Sequence, residues 1–107
     1  MSVSASLKKM NKDERSLLLF FENACVEHGG WLHHKHMNEE DLLIATQWAA
    51  SGFIKEFRRL KMAVIRKTAG KYSHTCWLSP SAWSIAQAER RARAKRIRDR
   101  RKEEFDA

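Results

Sequence analysis

The chain is poor in the features that would mark a secreted scaffold, a membrane protein or a common enzyme. Its two cysteines, Cys25 and Cys76, are too few for a disulfide framework. No apolar run approaches the roughly 20 residues that span a bilayer. Near the amino end the apolar run is only Leu17 to Phe21, with no small-residue cleavage site after it. A soluble, reduced, cytoplasmic protein with no membrane partner is expected. P-loop, GxSxG and HExxH motifs are all missing, and the acids Glu39, Glu40 and Asp41 sit where a helix start explains them better than a magnesium site. The chain is expected not to be an enzyme and to need no cofactor. There is no internal repeat, and 107 residues leave no room for a barrel or a doubly wound fold.

What the chain has is positive charge in particular places. The formal net charge is +8. Residues 1–52 hold five Lys/Arg against seven Asp/Glu, residues 53–75 seven against one, and residues 76–107 nine against five. The positive field therefore begins at Phe53. Cations gathered this way are the footprint of a polyanion partner, because Lys and Arg that neutralise phosphates release condensed counterions.

The periodicity predicts a mainly helical chain with a small β-hairpin. A first helix is expected from Asn11 to His28, capped by Asn11 or Asp13 and stopped by Gly29-Gly30, with Leu17, Phe20, Phe21, Ala24 and Cys25 on one face. Trp31 to Met37 reads as a short strand or connecting loop. Asn38 followed by Glu39, Glu40 and Asp41 starts a second helix, which runs to the small residues Ala49 to Gly52. Phe53, Ile54, Phe57 and Leu60 then recur at helical spacing, predicting a third helix over residues 51–62 with Lys55, Arg58 and Arg59 on its open side. Val64 to Lys67 and Tyr72 to Leu78, separated by Thr68 to Lys71 with a glycine, read as a hairpin over residues 64–78. Pro80 ends the second strand, and a last helix capped by Ser79 or Ser81 leads into the arginine-rich end.

NEEDL, SGFIKEFRRL and VIRKTAGKYSHTCWL, taken in that order, resemble the second helix, recognition helix and wing of the winged helix-turn-helix DNA-binding domains. The resemblance covers residues 13–86, leaving an amino-terminal arm over 1–12 and a basic helical tail over 87–107. It implies a three-helix core with a wing, and double-stranded DNA as partner. The helix over 51–62 would enter the major groove with Ser51, Gly52, Lys55, Arg58 and Arg59 on its contact face. Arg66, Lys67 and Lys71 would reach the backbone or the minor groove from the wing. Arg90, Arg91 and Arg93 would add phosphate contacts from the tail, where residues 89–102 carry nine Lys/Arg and two acids. The biological role would be that of a small transcriptional regulator or an accessory factor of a replication or mobile element. RNA binding through the tail, a winged-helix protein-interaction module, and a homodimer through the last helix stay open as alternatives. Cys25, His28, His33, His34 and His36 lack the paired spacings of a structural zinc site, so no metal is expected. Most of the four tryptophans are expected in the core.

Overall fold

A computed structural model of the chain describes residues 10–106, so most of the arm expected over residues 1–12 lies outside the described residues. The elements run α1 (Lys12–His28), β1 (Trp31–His33), a single 3-10 turn (His34–His36), α2 (Glu39–Ser51), β2 (Ile54–Arg59), α3 (Met62–Lys67), β3 (Tyr72–Leu78) and α4 (Pro80–Asp106). The protein is mainly helical with one three-stranded antiparallel sheet, in the order β1-β3-β2. No described helix is long and apolar enough to cross a membrane.

Both expected helix starts are present, and the reason is local chemistry. The Asn11 side chain accepts the Glu14 N–H at 2.8 Å, and Gly29 closes α1 in the left-handed region. At α2, Asn38 accepts from the Asp41 N–H while the Asp41 carboxylate accepts from the Asn38 N–H, a reciprocal box that satisfies two orphan donors. Ser79 caps α4 by accepting the Ala82 N–H at 3.1 Å, and it donates to the Phe53 carbonyl, tying the helix start to the beginning of β2.

Two expected elements are corrected. Residues 54–59 form a strand, not the middle of a helix over 51–62. Gly52 ends α2 with φ 81°, and a bulge between Ile54 and Glu56 shifts the phase of β2. The bulge lets two apolar residues three apart, Ile54 and Phe57, both face the core, which reproduces a helical spacing in an extended chain. Residues 64–67, expected as the first strand of a hairpin, belong to α3. Its end is held by the Gly70 N–H on the Ile65 carbonyl at 2.9 Å and the Thr68 hydroxyl on the same carbonyl, also at 2.9 Å. The β-branched Val64 and Ile65 are only half-buried on this short helix, so local capping has overridden their preference for strand. β2 and β3 are therefore joined by a helical arm in place of a tight turn.

The core joins one face of the sheet to α1, α2 and the first turns of α4. Phe21 is its centre: fully buried, its ring lies 6.0 Å from Trp48 edge-on and 6.0 Å from Phe57 in a stack. Cys25 and Cys76 are buried free thiols with their sulfurs 3.8 Å apart, and the hydrogen bond between them together with burial pushes the Cys76 thiol up. Gly30, at φ 92°, lets β1 come so close to β3 that a Cβ there would collide with the Cys76 carbonyl oxygen. Of the tryptophans Trp48 is buried and Trp83 packs partly buried against the core, while Trp31 and Trp77 are exposed, so two and not most of the four lie at the core. Trp31 and Trp77 are 37% and 43% exposed, and Trp83 is half-buried against Trp77.

The last helix runs unbroken from Pro80 to Asp106, across residues 86 and 87 and through the arginine-rich segment. Its 27 residues amount to about 40 Å, and the molecule extends 55 Å along its longest axis. An ion pair and a hydrogen bond fasten it to α1: Arg90 grips Glu22, and Arg93 donates to the Ser16 hydroxyl at 3.2 Å. Within α4 itself, buried Glu89 accepts from Arg93 at 2.8 Å and Arg96 at 3.2 Å. Burial alone would raise the Glu89 carboxyl, but the two arginines outweigh it and hold the group below the ordinary carboxylate range. Such a depressed group adds stability that is present above its unfolded value, near 4.3, and is lost as pH falls through the folded value. Glu89→Gln is expected to cost about 1–2 kcal/mol at pH 7, allowing for the solvent around the arginines. Urea unfolding at pH 7 and pH 3 checks this, since the difference between the two proteins should shrink in acid.

Candidate nucleic-acid interface

The geometry gathers the expected contact residues into three separate places. Ser51 and Gly52 form the tight turn after α2, where the Ser51 hydroxyl donates to the Trp48 carbonyl and accepts the Phe53 N–H. Lys55 is exposed in the bulge of β2, near the same end of the sheet. These three residues shape a turn and a strand start, and no helical contact face carries them.

Arg58, Arg59, Arg66, Lys67 and Lys71 lie at the other end of β2 or on the arm beyond it, and every one is exposed. Lys61, which the sequence reading did not single out, belongs with them. Residues 57–71 contain six Lys/Arg and no acid. Among the described residues Glu56 offsets part of this charge, pairing with Arg58 at 2.9 Å. Arg59 leans on the Met62 sulfur at 3.9 Å, and Lys71 stands 5.5 Å from the centre of the Tyr72 ring. The two histidines flanking the arm have lowered pKa values. At His33 the cause is desolvation and then the charges of His36, His34, Lys71 and Lys35; at His74 it is burial and then Arg59.

The third place is α4. Arg90 is engaged with Glu22 and Arg93 with Ser16, both on α1, so they serve first as fasteners of the helix. Arg91 instead begins an exposed stripe with Lys95, Arg98 and Lys102, at spacings of four, three and four that keep one helical face. Lys95 in this stripe pairs loosely with Asp99 at 3.4 Å. On the side facing α1, a cleft of about 580 Å³ places Lys12, Arg15, Arg96 and Arg100 around Glu89. The spacing of the stripe was visible in the sequence, but which arginines pair with α1 was not.

No protein-family model, curated protein or solved structure matches the chain. The residues themselves have to carry the functional reading.

α2 immediately precedes the β2–β3 pair, and it contains no Lys or Arg. Its first turn is Glu39, Glu40 and Asp41, and its exposed positions include Leu43, Thr46, Gln47 and Ala50. An acidic helix start repels phosphates, so this face is a poor groove reader. The arm and α4 leave β3 at opposite ends, about 20 Å apart along the strand. Among the described residues no group of three or more His, Cys, Asp or Glu is placed to hold a metal ion.

Proposed function

We propose that the protein binds double-stranded DNA, holding its phosphates with the cationic arm between β2 and β3 and with the exposed stripe of α4. The observation that carries this reading is the arm together with the end of β2, where residues 58–71 hold six cations, all exposed, and no acid. We read the fold as a variant of the winged helix-turn-helix, because α1, β1 and α2 lead into an antiparallel strand pair whose long connection stands in the place of a wing. In such a domain the helix before the strand pair would read bases. Here that helix is α2, which brings acids in place of cations. Binding is then led by the wing and the backbone, tolerant of sequence and strongly dependent on salt. This favours an accessory factor of a replication or mobile element over a regulator that selects one operator.

The test is a titration of the whole protein with two duplexes of unrelated sequence and one structured RNA, at several salt concentrations. Six arm phosphates and four on the stripe would give a slope of log K against log salt of about −9 on DNA. The two duplexes should differ by less than threefold. A preference of a hundredfold or more for one duplex would assign base reading to the protein and overturn the backbone account. A clear preference for the RNA would move the function to the arginine-rich helix, the second reading that the preformed, exposed stripe of α4 supports.

A further inference from the structure

Beside the arm lies a small cleft of about 260 Å³, formed where the end of α1, β1, the 3-10 turn and the start of β3 meet. Aromatic and imidazole rings make its walls. Tyr72 contacts Trp31 at 5.7 Å, His28 at 5.8 Å and His33 at 5.9 Å between ring centres. On the other side His36 lies 5.3 Å from His33 and 5.6 Å from Phe20. Trp31 is 37% exposed although it lies on a strand, and its neighbour Leu32 is fully buried. The Nδ1 of His33 accepts the Lys35 N–H at 3.2 Å, which leaves Nε2–H as a donor in the neutral ring. Lys71, the last cation of the arm, lines the same cleft, and its carbonyl accepts the His34 N–H at 3.3 Å, fastening arm and cleft together.

Three properties decide the class of occupant. The volume falls below the roughly 300–1,000 Å³ of ordinary ligand pockets, so it suits one ring system and not a peptide or a dinucleotide. The walls offer ring faces and imidazole nitrogens, which suit a flat heteroaromatic guest. The rim carries Lys71, and no Asp or Glu lines the cleft, so the guest should bring negative charge with it. We propose that the cleft receives one unstacked nucleobase of the nucleic acid held by the arm, with its phosphate at Lys71. This rests on the nucleic-acid reading above and adds to it: the protein prefers a duplex carrying a single-stranded end to a blunt one.

The experiment compares a blunt duplex with the same duplex carrying a short single-stranded overhang, for the wild type, Trp31→Ala and Trp31→Phe. In parallel, a nucleoside monophosphate is titrated into the wild type while the Trp31 indole N–H signal is followed by NMR. Stacking of one base predicts an overhang preference of about tenfold, its loss in Trp31→Ala and its partial return in Trp31→Phe. The monophosphate should shift the Trp31 signal saturably. Equal binding of blunt and overhang duplexes, or an overhang preference that survives in Trp31→Ala, would overturn the proposal while leaving the arm's role intact. If the wild type bound no duplex yet the monophosphate saturated the Trp31 signal, the duplex reading would fail and the cleft would stand. If the monophosphate left that signal unmoved and the overhang gave no advantage, the cleft reading would be wrong.

Discussion

Replacing Lys61, Arg66, Lys67 and Lys71 together by alanine is expected to weaken duplex binding about a thousandfold at 0.1 M salt, with little effect on folding. Each phosphate contact contributes about 0.9 to the slope of log K against log salt, so losing four removes about 3.6 from it. Extrapolated to 1 M salt, wild type and variant should converge. All four side chains are exposed and among the described residues none has an acidic partner within ion-pair distance, so no buried charge is orphaned and the far-ultraviolet circular dichroism should be unchanged. Fluorescence anisotropy with a labelled duplex reads both affinity and slope. An unchanged slope would mean that the arm does not touch phosphate.

The second large effect falls on the core. Phe21→Ala is expected to cost about 3–5 kcal/mol, the range for removing a fully buried phenyl ring from a packed site. The loss is not confined to α1, because the ring packs on Trp48 of α2 and on Phe57 of β2, and the cavity would lie where three elements meet. A domain of this size has only about 5–15 kcal/mol of stability, and each kcal/mol moves the midpoint by roughly 4–8 °C, so thermal unfolding should shift down by roughly 12–40 °C. Leu43→Ala, at a position 60% exposed on α2, should change stability by no more than about 0.5 kcal/mol. Similar losses in the two variants would place the centre of the core elsewhere.

How far along the chain each residue exerts its effect decides which elements are legible in the sequence. Asn11, Asn38, Gly29 and Gly52 act within a few residues of themselves, so the ends of α1 and α2 were legible in the sequence. The run Tyr72 to Leu78 is β-branched and aromatic and became the central strand. β2 was misread because its bulge places Ile54 and Phe57 on one face at a spacing that a helix also produces. Nothing in the order of residues reports a bulge that exists only once β3 is alongside. α3 was misread because Val64 and Ile65 favour strand, while the contacts that fold them into a helix come from Thr68 and Gly70. The cationic block after Phe53 was legible as charge, but the surface that displays it changed from a helix face to an arm. The division of α4 into Arg90 and Arg93, fastened to α1, and Arg91, facing outward, depends on Glu22 and Ser16 of α1 coming alongside once the two helices pack.

The central claim is that the arm, and not α2, meets the nucleic acid. Backbone amide NMR of the labelled protein, titrated with a 16-base-pair duplex at low salt, tests it most directly. The signals of residues 58–71 should move with a shared saturation curve, while those of residues 39–51 stay within the noise. Movement concentrated in residues 39–51 with a silent arm would contradict the account and return base reading to the helix before the sheet.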